Sequence, residues 1–100
     1  MDVIFEVVDK TGRKIRLTRE RWTHITSPAN LHPYMTNYFE EVKTAILNPD
    51  IVIQDKFDES KANYYKYLKE EKKYILIAVK YLNGEGFVTT AFRVRNIRRK

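Results

Sequence analysis

One hundred residues suffice for one compact domain with a single modest core and are too few for two, so residues 1 to 100 are read as one unit. A composition of 43% hydrophobic and 32% charged residues, with seven Tyr, five Phe and one Trp, excludes a disordered chain, and the lack of cysteine excludes disulfides and thiolate metal sites. No apolar stretch approaches the roughly 18 to 20 residues that span a bilayer, and the N-terminus MDVIFEVVD has neither a basic leader region nor a cleavage site, so the expectation is a soluble cytoplasmic protein with no membrane partner. The formal charge of +6 is unevenly spread. Residues 10–21 (KTGRKIRLTRER) and the last eight (RVRNIRRK) contribute +5 each, and the rest of the chain is net negative. Clustered cations of this kind suit a polyanionic partner, although a solvated surface with a frayed basic tail gives the same count.

VIFEVV (3–8) and RKIRL (13–17) are β-prone runs joined by DKTG, whose Asp and Gly suit a tight turn, so a β-hairpin opens the domain. In its second strand Ile15 and Leu17 alternate with Lys14 and Arg16, which gives one apolar and one basic face. Thr18 is placed to cap a helix over RERWTHIT, with Trp22 and Ile25 three apart on an inward face and an end by Ser27, ahead of Pro28. SPANLHPY (27–34) reads as a loop. Thr36 can cap a second helix reaching about Leu47, with Phe39, Val42, Ala45 and Ile46 inward, and NPD (48–50) stops it.

From there the period changes to two. IVIQDKF, NYYKYLK, KYILIAVKYL and GFVTTAFRVRNI read as four strands, with NGEG (83–86) a hairpin turn and ILIAV the central strand because it is apolar on both faces. The predicted architecture is α+β: an N-terminal β-hairpin, then two helices packed on one face of a four-stranded antiparallel β-meander. Strict alternation in the last strand puts Val88, Thr90, Phe92 and Val94 on one face and Phe87, Thr89, Ala91, Arg93 and Arg95 on the other.

No phosphate-binding glycine loop, nucleophile elbow or complete metal-ligand set is present, and no cofactor is implied. Two histidines, clustered cations, tyrosines and strand hydroxyls are left, a set suited to phosphodiester chemistry without a metal. Arg21 and His24, three apart on the first helix, lie at the edge of its buried face; His24 can take a proton from a ribose 2′-hydroxyl and Arg21 can stabilise charge on the phosphate, or His24 can be a partly buried helix residue with Arg21 paired to a carboxylate. His32 can reach substrate or anchor its loop. The Thr90 hydroxyl can bond a phosphate oxygen or sit half-buried in the strand, Arg16, Arg93 and Arg95 extend the basic strip, and Tyr65 with its neighbours can stack bases or cover the sheet.

The order Arg-Trp-x-His-Ile, His-Pro-x-Met, Asn-Pro-Asp, a Tyr-Tyr strand, an apolar strand ending Val-Lys and finally Val-Thr-Thr-Ala-Phe resembles the phage-associated branch of the barnase/EndoU/colicin/RelE-like nuclease superfamily, over residues 19 to 97. The resemblance implies a metal-independent, toxin-like endoribonuclease that cuts RNA by 2′-hydroxyl attack. It implies catalytic roles for His24, Arg21, Lys80 and Thr90, and a site role for His32. An acidic antitoxin or immunity protein that covers the basic strip is the further partner the charge distribution allows. Two positions depart from the pattern: Tyr34 stands where an acidic residue often follows His-Pro, and Phe92 stands where a tyrosine is usual. A non-catalytic RNA-binding or ribosome-associated module and a protein-interaction domain are the alternatives.

Overall fold

The structure, a computed structural model, describes residues 2–27 and 32–97. Part of the predicted 27–34 loop and the end of the basic tail lie outside the described residues. The elements in order are β1 (Val3–Val8), β2 (Lys14–Thr18), α1 (Arg19–Thr26), a 3-10 helix (Pro33–Tyr38), α2 (Phe39–Leu47), β3 (Ile51–Gln54), β4 (Lys61–Leu68), β5 (Lys73–Leu82) and β6 (Glu85–Val94).

The local chemistry behaves largely as its residues dictate. Asp9 organises the first turn: its carboxylate accepts from the Thr11 and Arg13 N–H groups and the Thr11 hydroxyl, and Gly12 takes φ 87°. Thr18 caps α1 by accepting from the Arg21 N–H at 3.1 Å, and Ile25 is buried while the half-buried Trp22 ring meets Phe39 edge-on at 5.5 Å. Asn83 and Gly84 both have positive φ, the twist that a two-residue hairpin turn needs between β5 and β6. The second helix differs. Its entry winds as a 3-10 turn from Pro33, and the Thr36 hydroxyl donates back to the Pro33 carbonyl instead of capping α2.

The sheet corrects the predicted four-stranded antiparallel meander. Six strands form one mixed sheet in the order β1-β2-β6-β5-β4-β3, because the N-terminal hairpin adds to the edge of β6 through a parallel pairing of Lys14, Ile15 and Arg16 with Glu85, Gly86 and Phe87. The driving force is burial: Ile15 and Leu17 are fully enclosed there, beneath the helices, and standing alone the hairpin would leave them wet. Gly86 permits the approach, since a Cβ at that position would lie 2.7 Å from the Ile15 Cδ1 methyl. α2 packs across β5, β4 and β1, and α1 packs against β2 and β6. Ile25, Met35, Val42 and Ile46 meet Ile15, Leu17, Ile75, Ile77, Val79 and Val88 in the core, so one sheet face is covered.

A β-bulge also corrects the alternation expected for the last strand. Val79 pairs with Val88 but Ala78 pairs with Thr90, which leaves Thr89 as the extra residue, its hydroxyl donating to the Ala78 carbonyl at 3.2 Å. The extra residue shifts the side-chain phase by one. Val88 therefore shares the helix-covered face with Ala91 and Arg93, and Phe87, Thr90, Phe92 and Val94 share the open face.

Candidate functional site

The register of β2, β6, β5 and β4 assembles a site on the open face. Arg16 pairs with Phe87, Phe87 with Lys80 and Lys80 with Lys61, so three cations lie in one row across four strands. Lys80 and Lys61 are direct cross-strand partners. Like charges so placed repel each other, and a sheet face without another use for them would put an opposite charge or a neutral residue at one of the two. Arg16 is held by Glu85 at 2.9 Å, and Asp58 stands 3.9 Å from the Lys61 ammonium, its carboxyl kept below the usual range by hydrogen bonds from Ser60. Beside the row is a small depression of about 110 Å³ lined by Lys80, Lys61, Asn63 and Thr89. Thr90 is two pairs further along β5, opposite Ala78.

The next row, Phe92, Leu76 and Tyr65, floors a broad trough of about 810 Å³ on the same face. Arg95 and Asn96 form one rim of it and Lys56 and Phe57 another.

Both histidines belong to elements beside β6. β2 leaves β6 after Phe87, and α1, which carries Arg21 and His24 as exposed residues, packs against β6. His32 stacks on the Phe92 ring with centroids 5.1 Å apart and planes 14° from parallel. The Tyr34 hydroxyl lies 3.4 Å from His32 Nδ1 and accepts from the Arg93 N–H at 3.1 Å. The hydroxyl oxygen can accept a second bond or give its own proton, so the direction of the contact with Nδ1 follows the His32 tautomer.

Residues 4–100 match the family model described as phage-Barnase-EndoU-ColicinE5/D-RelE like nuclease2. The chain belongs to this nuclease family. Comparisons with curated proteins and with solved structures gave no match. Among the described residues of this phage nuclease-family domain, no three His, Asp or Glu side chains gather as metal ligands, and no helix is long and apolar enough to cross a membrane.

Of the residues singled out in the sequence, Lys80, Thr90, Arg16 and Tyr65 share the open face, Arg95 lies on the trough's rim and His32 reaches the face through Phe92. Arg21 and His24 stand on α1, which packs on the covered side, so they do not share that face. Arg93 is the clear exception to a single basic strip. It faces the helices, 2.6 Å from the Glu71 carboxylate, with its guanidinium 4.1 Å above the Tyr34 ring and donating to the Tyr38 hydroxyl at 3.3 Å. Hydrogen bonds from Tyr38 and then Arg93 hold the Glu71 carboxyl below its usual range, and the bond to Glu71 raises Arg93 in turn. This cluster ties the 3-10 helix to the end of β6. Arg93→Ala should therefore destabilise the fold by about 1–2 kcal/mol, the scale of a charge-assisted hydrogen bond with a stacked guanidinium, and lower the midpoint of urea unfolding. An unchanged midpoint would show that the cluster holds nothing.

Sequence reasoning missed Lys61, Asn63 and Thr89 as members of the open face. Lys61 and Asn63 were open to detection, since Asn63 alternates with the buried Ala62 and Tyr64, but the bulge that turns Thr89 outward leaves no mark in the residue pattern.

Proposed function

We propose that this nuclease-family domain is a metal-independent endoribonuclease whose reacting phosphate sits on the open sheet face. The observation that carries the reading is the directly paired Lys61 and Lys80, with Arg16 two strands from Lys80, beside the Thr89 and Thr90 hydroxyls. The cations stabilise the charge that builds on the phosphoryl oxygens, and the Thr90 hydroxyl fixes the group's orientation. A base takes the proton of the ribose 2′-hydroxyl, the 2′-oxygen attacks the adjacent phosphorus, the bond from phosphorus to the 5′-oxygen breaks, and an acid protonates that leaving oxygen. His32, which reaches the face through Phe92, and His24, with Arg21 beside it and met across the edge of β6 beyond its pairing with β2, are the groups assigned to the two proton transfers. Arg95 binds a flanking nucleotide, and Tyr65, buried in the trough floor, supports that surface from beneath. In a toxin-like setting, an acidic immunity protein covering the cation row is the matching partner.

The test is total RNA incubated with purified protein in excess EDTA. Fragments ending in 2′,3′-cyclic phosphate are expected, with Lys80→Ala slower by roughly 10²-fold. Intact RNA at every protein concentration, or cutting only when a divalent ion is restored, would sink the reading. Retention of RNA with a steep salt dependence and no product would mark a binding module instead.

A further inference from the structure

Phe57 is 90% exposed, whereas the next most exposed large apolar side chain among the described residues, Val8, is 54% exposed. A loose loop does not account for it. The Asp55 carboxylate accepts from the N–H groups of Phe57 (2.8 Å) and Asp58 (3.0 Å), the Asp55 N–H donates to the Lys61 carbonyl, and the Gln54 amide donates to the Glu59 carbonyl. The chain therefore braces the turn between β3 and β4 so that a large ring stands in water, forgoing the favourable free energy that burying it would give. That ring is at the mouth of the trough.

The trough's composition fits a flat aromatic heterocycle on an anionic strand. Leu76, Phe92 and Tyr65 give an apolar floor, and Lys56 and Arg95 put positive charge on the rims. Asn63 and Asp55 line both the trough and the smaller depression beside Lys80, so the two adjoin. Leu76 is four residues along β5 from Lys80, about 13 Å in an extended strand, which places the trough next to the cation row and clear of it. We propose that the trough is a subsite for an unpaired nucleobase of RNA, with Phe57 as its stacking platform. The choice of RNA rests on the ribonuclease reading; the stacking role rests on the geometry. A base already stacked inside a duplex cannot meet the exposed ring, so the subsite selects single-stranded or looped RNA.

The experiment measures binding apart from cleavage, by fluorescence anisotropy of a labelled 2′-O-methyl RNA oligomer, which has no 2′-hydroxyl to attack. Phe57→Ala should weaken binding of the single strand about ten-fold, and Phe57→Trp should retain it. The same sequence as a duplex should bind both proteins alike. Because the ring touches solvent on nearly all sides, the variant should unfold at the wild-type temperature. Equal single-strand affinity for wild type and Phe57→Ala would overturn the subsite, and the ribonuclease reading would survive if the wild type still cut RNA. If the wild-type protein neither bound nor cut RNA, both would fall.

Discussion

Replacing His24 or His32 with alanine is expected to slow RNA cleavage by about 10²- to 10⁴-fold, the range attached to loss of a positioned acid or base. The chain has only these two histidines, and 2′-hydroxyl attack requires one proton to be removed and another delivered. Wild-type cleavage should show a bell-shaped pH dependence, and each variant should lose one limb of it, which identifies the base and the acid separately. The His32 variant carries a structural control. Its ring stacks on Phe92, so a purely packing role would lower the melting temperature and leave the pH profile bell-shaped. Tyr34→Phe tests the orientation of the same ring: it removes the hydroxyl 3.4 Å from Nδ1 and keeps the imidazole, so a smaller loss of rate than for His32→Ala is expected. A His24 variant that cuts at the wild-type rate with both limbs intact would remove α1 from the chemistry.

Much of the scaffold was legible because short-range chemistry decides it. Thr18 before an amphipathic octet, Asn83-Gly84 between two apolar strands and the doubly apolar ILIAV run each have one favourable local solution, and the fold adopts it. The parts that were not legible depend on distant pairing. Joining β2 to β6 rests on three residue pairs some seventy positions apart, and the residues of β2 suit an isolated hairpin equally well until something must cover Ile15 and Leu17. The bulge at Thr89 is harder still, since Thr89 and Thr90 are the same residue type and only the hydrogen-bond register distinguishes which one is extra. Its effect on the site is large: it reverses the phase of the first half of β6, so that Phe87 joins Thr90 and Phe92 on the open face. Arg93 illustrates a further gap. As one of several C-terminal cations it reads as part of a basic strip, but its carboxylate partner is Glu71, in the turn between β4 and β5, and a half-buried ion pair across that separation has no local signature.

Loss of the Asp9 carboxylate should produce the largest stability change, because this nearly buried acid joins the first turn to the middle of the sheet. Its Oδ1 accepts three hydrogen bonds from Thr11 and Arg13, and its Oδ2 accepts from the Tyr64 hydroxyl at 2.6 Å, which in turn lies 2.7 Å from the Tyr81 hydroxyl. Asp9→Ala strands those donors at once and should cost about 2–4 kcal/mol, a large share of the roughly 5–15 kcal/mol that holds such a domain together. Asp9→Asn keeps one acceptor oxygen for the turn and turns an amide toward Tyr64, so a smaller loss is expected. The pH dependence has a definite sign on each side. Burial raises the Asp9 carboxyl, but the bonds from Thr11, Tyr64 and the Arg13 backbone outweigh it and leave it below its ordinary value. Its contribution is therefore present above the unfolded-state value near 3.9 and is lost as pH falls through the lower folded one. Tyr64 is raised by burial, then by its bonds to Asp9 and Tyr81, so the stability it confers is present below the unfolded-state value near 10 and is lost as pH rises through the higher folded one. Urea unfolding of wild type and Asp9→Asn from pH 3 to 7 should show the gap between them closing as the acid limit is approached. A gap that stays constant across that range would mean that the Asp9 charge contributes nothing to holding the turn on the sheet.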